Sequence, residues 1–188
     1  MSNIAADRPL YFGYGSNLWL DQMFRRCPDS KLRGLARLDD WKWIISERGY
    51  ANIVPSPGDI VYGLVFHLSQ ADEDKLDVYE NVPIAYVKDY IPVSVNPDVP
   101  GNENDRYSGP RTEKVLIYID HLRITESKPK KEYITRINRG IEDAVKQGVP
   151  ESYFEKYFRP FIPAELKDGS LPYYQLVAAD KPSTYRDL

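Results

Sequence analysis

At 188 residues, 42% hydrophobic and 28% charged, the chain is long enough for one packed domain and hardly two, and its composition argues against disorder over most of its length. A formal net charge of −3 and a pI of about 5.5 argue against a general nucleic-acid surface, which needs clustered positive charge to displace counterions. The lone cysteine, Cys27, leaves no internal disulfide, and no apolar run approaches the roughly 20 residues that span a bilayer.

The first segment, Met1 to Pro9, is polar and has no apolar core of the kind a signal peptide needs, so the expectation is a cytoplasmic protein. Leu10 to Tyr14 is a short β-prone run ending in glycines, and Gly15-Ser16-Asn17 reads as a turn. Asn17 to Phe24 can start a helix, with Ser16 or Asn17 as N-cap and Pro28 beyond its end. Lys31 to Leu38, Trp41 to Ser46 and Tyr50 to Val54 read as strands, and Pro55-Ser56-Pro57-Gly58-Asp59 as a strong turn. Ile60 to Leu68, β-branched, aromatic and nearly all apolar, is the best strand in the chain and a central one.

Ser69-Gln70-Ala71-Asp72 opens a helix with a capping-box-like pattern. That helix runs through Leu76 to Glu80, and Asn81-Val82-Pro83 stops it. Val87 to Val95 and Lys114 to Ile119 are strands, separated by a loop over 97–110 rich in Pro, Gly and Asn. Tyr133, Ile134, Ile137, Ile141 and Val145 recur at helical spacing and define an amphipathic helix over 132–147. A second, short helix follows over 151–158. Strands and helices mix without strict alternation, which points to an α+β fold: a mixed sheet or partly open β-barrel with flanking helices. Residues 1–166 read as one domain and 167–188 as a C-terminal extension.

Familiar site types fall away one by one. His67 and His121 have no cysteine partners and no metal-ligand spacing, so no metal is expected. Phosphate-binding glycine loops and the Gly-x-Ser-x-Gly elbow are absent. Cys27, between Arg26 and Pro28, reads as a buried bystander rather than a nucleophile. Fifteen tyrosines read first as amphipathic packing and second as a site lined with phenols.

Two features remain. Gly13-Tyr14-Gly15-Ser16-Asn17 lies between a strand and a helix, where glycines allow close approach to the backbone and free amides suit a carboxylate or a developing oxyanion. Glu80 ends a helix, where the dipole disfavours its charge and can raise its pKa toward the range useful for proton transfer. Asp77 is the nearby competitor for that role.

Taken together, the segments resemble the γ-glutamylcyclotransferase (AIG2-like) superfamily. Tyr11-Phe12-Gly13-Tyr14-Gly15-Ser16-Asn17-Leu18 is similar to its Tyr-Gly-Ser-Asn signature, and 36–42 to its next strand. The stretch 51–66 is similar to its Ser-Pro-Gly-Asp turn and Gly-containing central strand, and 76–82 to the segment that bears the catalytic glutamate. The resemblance implies a lyase that needs no metal or cofactor and consumes no water. Its product is 5-oxoproline, formed from a γ-glutamyl-amino acid with release of the free amino acid. It implies Glu80 as the acid/base, and substrate contacts from Tyr11, Phe12, Gly13, Tyr14, Gly15, Ser16, Tyr86 and Tyr118. It also implies, for partners, a small γ-glutamyl molecule, no nucleic acid and no membrane, with a homodimer by family analogy alone.

One departure stands beside the base. Animal members of the family usually carry Glu-Gly-Val where this chain has Glu80-Asn81-Val82, followed by Pro83. Loss of that glycine is expected to reshape the pocket and puts the leaving group in question. A γ-glutamyl-amine, a glutathione conjugate, a biosynthetic γ-glutamyl intermediate, or a non-catalytic binding protein of the same fold are the alternatives.

Overall fold

The computed structural model describes residues 8–96 and 111–164; the 97–110 loop and the extension from 167 lie outside them. Five strands close into a barrel: β1 (Tyr11–Gly13), β2 (Lys31–Ile45), β3 (Ala51–His67), β4 (Val87–Asn96) and β5 (Arg111–Ile119), in the order β1-β3-β2-β4-β5. Helices α1 (Leu20–Arg26), α2 (Gln70–Tyr79), α3 (Lys131–Lys146) and α4 (Glu151–Tyr157) flank it. This is the α+β arrangement expected, but the barrel is closed rather than partly open. The closing contact is β1, three residues long, antiparallel to β3 at Tyr11↔Phe66 and parallel to β5 at Tyr11↔Leu116.

β2 and β3 form one long antiparallel hairpin, not the four strands that local patterns suggest. The pairing jumps from Asp39↔Ile60 to Trp41↔Pro55, so residues 56–59 bulge out opposite Asp40. The turn chemistry of Pro55 to Asp59 is real, but the ladder continues past it. Asp40, at φ 64°, accepts a hydrogen bond from the Gly58 amide at 2.9 Å, and the Ser56 hydroxyl donates to Asp59 at 2.8 Å.

Helix starts and stops follow the local signals more closely. Ser69 caps α2 by accepting from the Asp72 amide at 3.1 Å. Near the N-terminus the expected helix over 17–24 divides into a 3-10 turn (Ser16–Leu18) and then α1. α3 crosses that turn at close range: a Cβ at Gly140 would lie 3.0 Å from Leu18 Cβ. α4 is held by aromatic packing, with the rings of Trp43 and Phe158 stacked at 3.8 Å.

β1 approaches β3 closely because Gly63 has no side chain. A Cβ there would lie 2.6 Å from Phe12 Cζ and 2.7 Å from the Gly13 carbonyl oxygen. Gly63→Ala is therefore expected to cost about 1–3 kcal/mol through overpacking, read as a lower urea midpoint. A midpoint equal to that of the unmodified protein would contradict this close approach.

Candidate active site

Glu80 is the C-cap of α2 and is half-buried. The chain around it is tightly wound: the Glu80 amide donates to the Leu76 carbonyl at 2.8 Å, Val82 to Asp77 at 2.9 Å, and Ala85 to Asn81 at 2.9 Å. Asn81 has φ 50°, in the left-handed region that glycine and asparagine enter most readily. Asn81, where the family usually has glycine, thus adopts a backbone conformation that glycine also enters readily.

Five buried tyrosines from separate parts of the chain lie in the electrostatic field of Glu80: Tyr11 on β1, Tyr14 after it, Tyr86 before β4, Tyr118 on β5 and Tyr133 on α3. Burial, reinforced by the Glu80 charge, raises all five phenols above their usual range, and for Tyr118 the hydrogen bond to Asp77 adds to this. Each hydroxyl has a partner. Tyr14 donates to the Tyr118 carbonyl at 2.6 Å, Tyr86 to the Ala51 carbonyl at 2.7 Å, and Tyr118 to Asp77 Oδ1 at 2.7 Å. Tyr11 accepts from Asn17 Nδ2 at 2.8 Å, and Tyr133 from the Ser16 amide at 3.2 Å.

The signature loop is locked into this shell. Asn17 Oδ1 accepts from Gln22 Nε2 at 3.0 Å and from Arg26 Nη1 at 3.2 Å, and the Ser16 hydroxyl accepts from Gln22 at 2.9 Å. A Cβ at Gly15 would lie 3.0 Å from both Ala51 Cβ and the Tyr133 hydroxyl. The structure therefore gathers Glu80, Tyr11, Tyr14, Tyr86 and Tyr118 around one place, with Gly13, Gly15 and Ser16 in the adjoining loop. Phe12 differs from them: its ring packs over Gly63, so it contributes packing and backbone rather than a side chain facing Glu80.

Asp77, the competing carboxylate, is already engaged by the Tyr118 hydroxyl and by Lys88 Nζ at 2.6 Å. Lys88 also reaches Glu73 at 2.8 Å, and Glu73 meets Arg8, so Asp77 belongs to an anchoring network behind Tyr118. Cys27 is fully buried, and burial, with the Asp72 charge next in weight, pushes its thiol up to about 12, which agrees with its reading as a bystander. No group of three or more metal-ligating side chains occurs among the described residues. No helix there is long and apolar enough to cross a membrane.

Sequence reasoning missed two contributors. Tyr133 registers only as one apolar position of an amphipathic helix, and Arg26 only as the neighbour of Cys27. Their roles come from contacts between elements distant in the chain, and the order of residues along α3 or α1 carries no sign of them.

Residues 11–134 match the family model described as Gamma-glutamyl cyclotransferase, AIG2-like. The chain belongs to that family. A curated gamma-glutamylcyclotransferase from Bos taurus is 26% identical over 174 residues, covering 77% of this chain and 91% of the bovine protein. The gamma-glutamylcyclotransferase of Mus musculus is 39% identical over a shorter stretch of 83 residues, 44% of the mouse protein. Among solved structures, one described as Gamma-glutamyl cyclotransferase superposes with a TM-score of 0.67 at 24% identity, covering 91% of this chain and 96% of that one. A Homo sapiens protein described as uncharacterized superposes at 0.66, with 24% identity and 92% and 97% covered. These two likenesses speak for the fold.

The phenol shell makes a pH prediction. Each folded phenol titrates above the ordinary tyrosine value of 10.0, so its stabilising contribution is complete below pH 10 and is lost as pH rises past it, where the unfolded chain ionises first. Denaturation midpoints should fall above pH 10, and part of the phenolate absorbance near 295 nm should appear only as the protein unfolds. Full, reversible phenolate titration of the native protein would contradict the buried shell.

Proposed function

We propose that the chain is a γ-glutamylcyclotransferase in which Glu80 is the proton-transfer group. The observation that carries this is the set of groups around Glu80. Five phenols are held neutral well above physiological pH, and the neighbouring carboxylate of Asp77 is engaged by Tyr118 and Lys88. Glu80 is the carboxylate whose charge reaches all five of these phenols, and a carboxylate so surrounded supports a proton-transfer role.

In this reading the loop from Tyr11 to Ser16 holds the glutamyl half, while Tyr86 and Tyr118 line the reacting centre. Glu80 removes a proton from the substrate's α-amine. The amine nitrogen attacks the γ-carbonyl carbon, a new C–N bond closes the five-membered lactam, and the bond from that carbon to the leaving nitrogen breaks. Glu80 returns its proton to the departing amine, so the products are 5-oxoproline and a free amine, with no water consumed. Much of the acceleration comes from holding a flexible chain folded for ring closure, which a rigid, water-poor shell of aromatic side chains favours. The sequence relatives named for this activity support the same reading.

Replacing the base isolates its contribution. Glu80→Gln should lower 5-oxoproline formation from γ-glutamyl substrates by about 10²- to 10⁴-fold with an unchanged melting temperature, followed by mass spectrometry of the product. More than a tenth of the original rate in that variant would remove Glu80 from the mechanism.

The loop can be probed through binding. Gly15→Val places a branched side chain against Ala51 and Tyr133 and should abolish the thermal shift produced by 5-oxoproline. An undiminished shift would mean that the glutamyl half binds elsewhere.

A further inference from the structure

Among the described residues β3 and β5 do not pair with each other; β1 lies between them, and it ends at Gly13. Past that point a side chain joins the start of β3 to the end of β5. Asn52, the second residue of β3, is fully buried. Its Oδ1 accepts from the Asp120 amide at 3.1 Å. Its Nδ2 donates to the Asp120 carbonyl at 2.8 Å and to the Arg123 carbonyl at 3.2 Å. The carboxamide thus meets both backbone groups of Asp120, as a peptide group of a neighbouring strand would.

Asparagine is a poor strand former, and a buried carboxamide is costly unless its hydrogen bonds are made. Here its oxygen and its nitrogen are both engaged, so the residue is suited to fixing one arrangement of the backbone rather than to filling space.

Each segment that Asn52 joins carries part of the site. On the β3 side is Ala51. Its carbonyl accepts the Tyr86 hydroxyl at 2.7 Å, its amide donates to the Tyr133 hydroxyl at 3.4 Å, and its Cβ is an atom that a side chain at Gly15 would strike. On the β5 side is Asp120, two residues after Tyr118. The Tyr118 carbonyl accepts the Tyr14 hydroxyl at 2.6 Å, and the Tyr118 phenol is itself in the field of Glu80. Four of the five phenols therefore take their places from two short stretches of backbone, and the Asn52 amide sets the distance between those stretches.

Asp120 extends the bridge. Its Oδ1 accepts from the amides of Leu122 and Arg123 at 3.0 and 3.1 Å, and its Oδ2 from Arg123 Nη1 at 2.7 Å. The same guanidinium donates to the carbonyls of Ile84 and Ala85, at 3.2 and 3.4 Å, just before Tyr86. Tyr86 is thus held twice, by its hydroxyl on Ala51 and by the backbone that Arg123 ties to Asp120.

We propose that Asn52 is a positioning residue of the cyclisation, fixing the Tyr14, Tyr86 and Tyr118 phenols about Glu80 by locking Ala51 to Asp120. The inference rests on the cyclotransferase reading. No bond forms or breaks at Asn52. It acts through the walls against which the substrate's chain must fold for ring closure. The Tyr11–Ser16 loop is held from another side, by Gln22 and Arg26. Loss of the bridge is therefore felt in the reaction more than in the grip on the glutamyl half.

Asn52→Leu keeps the volume and removes the bridge. With γ-glutamyl-alanine its kcat should fall by about 10- to 100-fold, the effect of reacting groups misplaced by about 1 Å, measured at a temperature where the variant is fully folded. Its Kd for 5-oxoproline should change by less than about threefold, because the interactions lost belong to the reaction rather than to binding. Val95→Ala, a buried truncation on β4 at the other end of the barrel, is the control for lost stability alone. It should lower the melting temperature and leave kcat unchanged. A kcat in Asn52→Leu no lower than that of Val95→Ala would overturn the proposal, as would a loss that appears wholly in Kd. Where Asn52→Leu does not fold, Asn52→Ser, which leaves room for water on the freed backbone groups, is judged by the same criteria.

Should the unmodified protein form no 5-oxoproline, the cyclotransferase reading fails, and the positioning itself is read from a crystal structure of the variant. The Tyr14 and Tyr86 hydroxyls should then lie about 1 Å or more from their present places relative to Glu80. Hydroxyls left where they are would overturn the assignment.

Discussion

Three residues of backbone close the barrel, and the candidate site exists because they do. β1 lies antiparallel to β3 and parallel to β5, and the Leu116 amide reaches back to the Leu10 carbonyl at 2.7 Å. That placement sets Tyr11 edge-on to Tyr118, with ring centroids 5.8 Å apart, and delivers the Gly13–Asn17 loop beside the C-cap of α2. β1 can fit there because Gly63 leaves room for Phe12. A pairing this short is held by burial on both sides more than by its few ladder hydrogen bonds.

Closure also fixes the electrostatics. The five tyrosines come from β1, the loop after it, the entry to β4, β5 and α3, and only a closed barrel brings those places to one carboxylate. Their hydroxyls are spent on backbone and side-chain partners, so the phenols define the walls and stay protonated. Behind them, Asp77, Lys88, Glu73 and Arg8 form a charged strut that holds Tyr118. A network of this kind positions a side chain more than it adds stability, since partly exposed ion pairs contribute about 0–1 kcal/mol each.

Local signals in the sequence carry the local parts of the structure. Ser69 and Pro83 bracket α2, the apolar run from Ile60 ends β3 at His67, and Glu80 falls at the end of α2. What is not legible depends on contacts across the chain. The Pro55–Asp59 turn reads as a strand break, yet the ladder resumes beyond it because Asp40, with its positive φ, accommodates the bulge. Asn81 reads as the loss of a glycine, and its positive φ is one that asparagine enters readily. Tyr133 has no local signature at all. It is a member of an apolar stripe, and only the packing of α3 against the signature loop brings it within the field of Glu80.

The account depends on ring closure by the substrate's own amine, with no water entering the bond that breaks. Turning over γ-glutamyl-alanine in ¹⁸O-enriched water separates this from hydrolysis in one spectrum. Unlabelled 5-oxoproline together with alanine is the predicted result. Glutamate carrying ¹⁸O would show that water is the nucleophile and would contradict the account.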